Sequence, residues 1–384
     1  MMNSNTSLIE RLSTQKEQYD RAVQAQEALW LGRGGAPLLL HCALNEQEQQ
    51  AYPAYHYLEI HHSVDKMLAN GLREAVTSMK GGREAVPSIR ANMGCGIVAA
   101  WFGIVPELFE DKQPWVTQHL PKGLLMDMSA DDLVITPEFR MALDHMAFIA
   151  RQLQGSGVRV FPVDIQGAFD TAHLVYGDDI FYQLYDDPEF VHHLMDLSCT
   201  ATERAFDECL ELIPDSDKTI AHYNSYAMPR AKGGLKLSED TSTLLSQAHI
   251  EEFVAPYIHR LLRHAGGGYV HYCGRNDHLY RSIMAEPLCH GLNFGNPEKH
   301  DMEQVLRDCA ATGRIYQGVL PRYGHESWDA YFERLLGASF NKQIHALLEI
   351  FCPEGERQGI AEAFDRAAER VIQHRQLTMT QERL

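Results

Sequence analysis

The sequence predicts a (β/α)8 TIM barrel with an N-terminal helical extension, on three observations. Short apolar runs alternate with longer amphipathic stretches from Val158 to Cys352, the rhythm of parallel βαβ units. Strand candidates counted from Pro37 number eight, or nine if VPSIRA (86–91) is included, and eight strands close a barrel. An open doubly wound sheet would carry a glycine-rich fingerprint after its first strand, and none follows PLLLH (37–41).

Each element has its own signal. Residues 8–31 are helical in spacing and rich in charge, and GRGGAP (32–37) stops that helix with glycines and a proline. PLLLH reads as a short buried strand. Residues 45–85 return to helical spacing and close at Gly81-Gly82. VRVFPVDIQG (158–167) is a strand, followed by a long helix over 186–213, then KTIAHYNS (218–225) and GLKLSED (234–240). A helix over 246–265 leads to GGYVHYCG (267–274) and GLNFGN (291–296). A helix through Cys309, RIYQGVL (314–320), a further helix and IHALLEIFC (344–352) complete the series. The chain accordingly divides into an extension over 1–36, a barrel over 37–375 and a C-terminal tail over 376–384.

Composition narrows the function. Hydrophobic residues make up 45% of the 384, normal for a folded core and too many for disorder. Fifty-two Asp plus Glu against 34 Lys plus Arg give a formal charge of −18, which argues against nucleic acid and anionic membrane surfaces as partners. The most apolar stretch, IVAAWFGIV (97–105), is far short of the roughly 20 residues that span a bilayer. The N-terminus has no basic start followed by an apolar run, so no signal peptide is expected. Eight cysteines without dense, regular spacing read as reduced thiols, and the expected location is cytoplasmic.

The strongest local signal is His271-Tyr272-Cys273-Gly274, preceded by three glycines. In a strand, residues i and i+2 share a face, so His271 and Cys273 project together into the mouth of a barrel. Imidazole and thiolate are preferred zinc ligands, and a catalytic zinc takes three protein ligands and an open position. Cys352, ending the last strand candidate, is the geometrically natural third ligand, with Cys289 and Cys309 as competitors. Cys309 lies in a helical stretch where burial is favoured, and Cys289 precedes a strand at the wrong end of the barrel. The plainer account of an H-x-C pair is two core side chains, since buried cysteine behaves as a small hydrophobe. Cys199 and Cys209 read as filler on one helix, and Cys42 and Cys95 have no patterned partner.

A second group stands at strand ends: Asp164 and Gln166, His222 and Asn224, Glu239 and Asp240, Asn293 and Asn296. Barrel enzymes bind substrates and move protons with such residues, although Asp and Asn also cap helices. Capping is the better account of Asp186-Asp187 before Pro188; for Asp240 both accounts stand. His61-His62 and His192-His193 lie in helical stretches and read as solvated faces. There is no G-x-S-x-G, Walker or H-E-x-x-H sequence, so nucleophilic triads and nucleotide binding find no support.

These stretches resemble the uroporphyrinogen decarboxylase superfamily. The resemblance is carried by VPSIRANMGCGIVAAWFG (86–103), DIQGAFDTAHLVYGDDIFYQLYDDPEFVHHLM (164–195), GGLKLSEDTSTLLSQAHIEEFVAPY (233–257), GGGYVHYCGRNDH (266–278) and GLNFGNPE (291–298). It implies a (β/α)8 barrel, which barrels of this family commonly pair into homodimers. The heme-pathway branch uses no metal and holds carboxylates with arginines after the first strand. Here that place reads HCALNEQEQQAYPAY (41–55), without an arginine. The corrinoid-linked branch passes a methyl group to a thiol and binds zinc through an H-x-C pair and a cysteine roughly 75–80 residues further on. His271 and Cys273 match the pair, and Cys352 lies 79 residues after Cys273.

The resemblance therefore implies a zinc-dependent methyltransferase with His271, Cys273 and Cys352 as metal ligands. Asp240 and Asp164 would take catalytic roles, and Gln166, His222, Asn224, Asn293 and Asn296 would hold substrate. A small-molecule thiol would be the acceptor. No D-x-H-x-x-G motif for a corrinoid is present, so the methylcorrinoid would arrive on a partner protein. A metal-free decarboxylase and a non-catalytic corrinoid- or metal-binding protein are the alternatives.

Overall fold

The computed structural model describes residues 2–381. The first strand, β1 (Leu38–Cys42), divides its side chains between two environments by simple alternation. Leu38, Leu40 and Cys42 share a core with the helix Val64–Gly81, whereas Leu39 joins a separate cluster with Tyr269, Ile315 and Leu347. The first environment is the layer between barrel and helices; the second is the barrel interior.

The remaining walls are β2 (Ser88–Ile89), β3 (Arg159–Val160), β4 (Leu235–Ser238), β5 (Gly268–Tyr272), β6 (Cys289–Phe294), β7 (Ile315–Gly318) and β8 (Ala346–Cys352). Six of them form one parallel sheet in the order β1-β8-β7-β6-β5-β4. Beyond β4 the wall continues through the parallel bridge Gln166↔Ser238 and the parallel β2–β3 pair. The strands thus run in sequence order around a (β/α)8 barrel, and β8 returns to β1 in the register Leu38↔Leu348 to Cys42↔Cys352. At the β1–β2 seam the segment before β2 meets β1 through the antiparallel bridge Leu39↔Arg83 and the Glu84 N–H to the Leu38 carbonyl (3.4 Å), while the Ser88 hydroxyl of β2 donates inward to the His222 carbonyl (2.8 Å).

One strand assignment differs from expectation. VPSIRA supplies the wall strand β2, while KTIAHYNS forms an antiparallel hairpin, Thr219–Ala221 with Ala227–Pro229. The hairpin is apolar because it fills the barrel interior: Tyr226 and Met228 pack with Leu39, Tyr269, Ile315 and Leu347. Periodicity reports burial, and a strand buried inside a barrel reads like one in its wall.

The N-terminal helix Lys16–Trp30 covers the end of the barrel where the strands begin, while Met2–Ser13 packs along the Val64–Gly81 helix, where Asn5 donates to the Asp65 carbonyl (3.0 Å). Gln26 fixes Lys16–Trp30 there, accepting from the Ala227 N–H (2.7 Å) and donating to the carbonyls of Glu84 (2.7 Å) and Ser225 (3.0 Å). Trp30 lies against Gly291, where a Cβ would come within 2.6 Å of the indole, so only glycine fits. The last helix, Arg357–Gln381, continues past residue 375, so 376–381 of the expected tail are helical; residues 382–384 lie outside the described residues. Among the described residues no helix is long and apolar enough to cross a membrane.

Candidate metal centre

Strand β5 delivers His271 and Cys273 to the C-terminal mouth on the same parity as Tyr269, which faces the barrel interior. The Cys273 thiol lies 3.6 Å from His271 Nε2, and Asp240, just beyond β4, brings Oδ1 to 3.9 Å of the same nitrogen. These three ligand atoms all lie within 4.8 Å of one another, the one such group of His, Cys, Asp or Glu donors among the described residues.

The surroundings prepare the donors. Asn293 Oδ1 is 2.5 Å from His271 Nδ1, and the Asn293 amide nitrogen is spent on the Gln317 carbonyl (2.6 Å). Only the oxygen therefore faces the ring, which places the proton on Nδ1 and leaves the Nε2 lone pair directed at Cys273 and Asp240. Burial and the Lys236 charge also push the imidazole pKa down, which favours the neutral ligand form. Asp240 does not cap the 3-10 turn Thr241–Leu244 with its side chain; Oδ1 accepts the Cys273 N–H at 2.6 Å and ties the two elements together. Burial, and then the Asp240 charge, push the Cys273 thiol up to about 11, so without a cation it keeps its proton. Asn296 accepts the Gly274 N–H at 2.9 Å and shapes the turn after Cys273.

Below this group lies a layer of buried acids. Asp170 accepts the N–H groups of Asp240 and Thr241, both at 2.7 Å, and burial together with the Asp240 charge raises it to about 7. Glu239 is 1% exposed, accepts from the Ser242 hydroxyl at 2.7 Å, and is pushed well above the usual range by burial and Asp170. Gly167 makes room for it, since a Cβ there would stand 1.8 Å from Glu239 Oε1.

Asp164 is not a free acid. Its carboxylate bridges Arg90 (3.1 Å) and Lys236 (3.0 Å) and accepts from Gln166 Nε2 (3.2 Å). Burial would raise its pKa, but the ammonium and guanidinium outweigh that and hold it well below the ordinary carboxylate range. A carboxylate so clamped is a positioning group and a poor proton acceptor. His222 and Asn224 sit on the interior hairpin rather than at a wall-strand end. The His222 ring packs edge-on to Tyr269 at 5.1 Å, and burial lowers its pKa to about 3. Asn224 donates to Glu349 (3.2 Å).

Cys352 is not brought to this group. On β8 the interior parity belongs to Leu347, Glu349 and Phe351, while Leu348, Ile350 and Cys352 face the helices. Its sulfur lies 3.8 Å from that of Cys42, its registered neighbour on β1. Two strands separate β8 from β5, a path of about 14 Å along the sheet. Cys289 and Cys309 are buried elsewhere, the former donating to the Gly291 carbonyl at 3.1 Å. Asp187 caps its helix by accepting the Phe190 N–H (3.2 Å). His192 and His193 are half-buried and bond to Tyr257 (2.8 Å) and the Leu125 carbonyl (3.0 Å), so each joins helices, with the His192 side chain still 40% exposed.

Sequence reasoning missed Asp170, Lys236, His41 and Glu349. Asp170 had a signal, an acid inside the apolar helical run AFDTAHLV. His41 and Glu349 each follow directly on a run of leucines in strands read as apolar; paired in the interior, His41 Nε2 stands 3.0 Å from Glu349 Oε1.

No family model and no curated protein matches the sequence. Among solved structures, a methyltransferase from Methanosarcina mazei superimposes with a TM-score of 0.60 at 13% identity, over 90% of this chain and 98% of that one. At that identity the likeness is one of fold, and it extends over nearly the whole of both chains.

Proposed function

We propose that this chain is a zinc-dependent methyltransferase that moves a methyl group from a methylcorrinoid, delivered by a separate protein, to a small thiol. One observation carries the reading: an imidazole nitrogen freed by its Asn293 partner, a thiol and a carboxylate converge within 4.8 Å at the barrel mouth. The donor set suits zinc, being nitrogen, sulfur and oxygen in number three, which leaves a fourth position for substrate. A structural zinc would normally use four protein ligands. The fold likeness to a methyltransferase supports the same class of reaction.

His271, Cys273 and Asp240 would hold the ion, with Asp240 standing where the sequence spacing suggested Cys352. Bound there, zinc would supply the positive charge that keeps a substrate thiol deprotonated at neutral pH. Asn293 holds the His271 ring in its ligand tautomer, and Asp170 holds the backbone at Asp240 by accepting the N–H groups of Asp240 and Thr241. In the transfer itself the sulfur–methyl bond forms as the cobalt–methyl bond breaks, and that electron pair stays with the corrinoid.

The test is zinc content per chain in purified protein, followed by methyl transfer from methylcobalamin to a panel of thiols. About one zinc per chain, lost in His271→Ala and Cys273→Ser together with activity, is the expected result. Absence of zinc uptake on reconstitution would sink the proposal and leave the metal-free decarboxylase reading. Tight zinc without transfer to any thiol would leave a metal-binding protein.

A further inference from the structure

Four strands from β5 in either direction, on the opposite wall of the barrel, β1 borders a cavity of about 570 Å3 that the metal centre does not use. It lies between the ends of β8 and β1, the Val64–Gly81 helix and the turn of the interior hairpin. Two aromatic rings stand open in it, Phe351 at 60% exposure and Tyr223 at 56%. Phe351 is backed on one face by the His41 ring at 4.8 Å, which leaves its other face free.

The wall is built at a cost. Asn224 and Ser225 are consecutive non-glycine residues in the left-handed region (φ 58° and 64°), a conformation that persists only where surrounding contacts impose it. Here the Ser225 hydroxyl bonds Ser78 (2.7 Å), and Asn224 bonds Glu349 (3.2 Å). The strained turn thereby presents Tyr223 toward the cavity.

The charge of the cavity has one sign. No Lys or Arg lines it, whereas Glu74 does, and among the described residues Glu74 has no ion-pair partner. Of the neighbouring cations, Arg90 and Lys236 both pair with Asp164, and the Arg90 charge also acts on Glu74, opposing the rise that burial gives the Glu74 pKa. Arg90 also lies 5.8 Å from the centre of the Tyr223 ring, which at 56% exposure keeps open surface for a second contact. Electron-rich ring faces beside a carboxylate, with no Lys or Arg in the lining, attract alkylammonium groups.

We propose that this cavity binds the alkylammonium group of a small organic cation, through the open faces of Phe351 and Tyr223 and the carboxylate of Glu74. The proposal goes beyond the transferase reading and does not rest on it, because the cavity lies on the wall opposite the metal centre and shares none of its ligand residues.

Isothermal titration of the full chain with choline, with its uncharged isostere 3,3-dimethyl-1-butanol and with 2-mercaptoethanesulfonate tests it. Choline is expected to bind at least tenfold more tightly than the isostere, and the sulfonate least. Phe351→Ala and Glu74→Gln should each weaken choline at least fivefold, Phe351→Leu should do so while keeping apolar bulk, and Cys273→Ser should leave it unchanged. Undetectable choline binding, equal binding of the isostere, preference for the sulfonate, or indifference to the cavity variants would each overturn the proposal. Choline binding without zinc uptake would remove the transferase reading and keep the cavity; zinc uptake without choline binding would do the reverse.

Discussion

His271 Nδ1 and Asn293 Oδ1 lie 2.5 Å apart across neighbouring strands, and that contact decides which imidazole nitrogen can bind a metal. Registered on β5 and β6, the two residues meet without help from any loop. Asn293→Ala would release the ring to rotate and to exchange tautomers. Loss of such an outer partner typically costs about 10–100-fold in metal affinity. Competition with a chelator at fixed pH measures it, and unchanged affinity would mean that Asn293 does not set the tautomer.

Gly295 should be as sensitive as a ligand. A Cβ there would stand 2.4 Å from the Cys273 sulfur, so the thiol must move for alanine to fit. Gly295→Ala is expected to lower zinc content to less than half of wild type, with a melting temperature within a few degrees, because Cys273 is exposed and little core packing is disturbed. Full zinc occupancy in the variant would show that the thiol is not held where metal binding needs it.

Asp164 is predicted to matter more for stability than for proton transfer. Replacing it with Asn leaves Arg90 and Lys236 facing each other, 17% and 23% exposed, without the carboxylate between them. Breaking a pair of this kind costs on the order of 3 kcal/mol. The denaturation midpoint of Asp164→Asn should fall accordingly, and a shift under about 0.5 kcal/mol, the level of a neutral surface change, would exclude the clamp.

The hairpin histidine gives a pH signature. Burial lowers the His222 pKa to about 3 from its ordinary value near 6.5, and its Nε2 is buried without a partner. The unfolded chain therefore binds the extra proton first, so the stabilisation is present above about pH 6.5 and is lost as pH falls toward 3. Roughly 2 kcal/mol should be gone by pH 5. Denaturation at pH 7 and pH 5 should show a smaller loss in His222→Gln than in wild type; equal losses would mean that the imidazole is not held neutral.

How much of this was readable follows from what each signal measures. His271 and Cys273 were legible because i and i+2 in a strand share a face whatever the surrounding fold. The wall strands were legible through their rhythm, yet the apolar run at Thr219–Ala221 carried no mark to say that it lies inside the barrel rather than in its wall. Asp240 could be named as a candidate but not as a neighbour of Cys273, because the contact joins residues 33 apart through the pairing of β4 with β5. The His41–Glu349 pair was hidden because two strands with continuous burial conceal which parity faces the interior.

Parity also separates the two candidate third ligands, and here the outcomes diverge sharply. Cys352 shares its face with Leu348 and Ile350, against the helices, and its sulfur rests 3.8 Å from Cys42. Reaching the mouth would require the end of β8 to turn over, breaking the register Cys42↔Cys352. Asp240 needs no such movement, since its Oδ1 already lies 3.9 Å from His271 Nε2. Zinc content should therefore survive Cys352→Ser and fall in Asp240→Asn, which keeps the shape but removes the anionic donor. The opposite pattern, zinc lost with Cys352 and kept with Asn at 240, would show that metal binding rebuilds the end of β8 and that the 79-residue spacing from Cys273 marks the ligand after all.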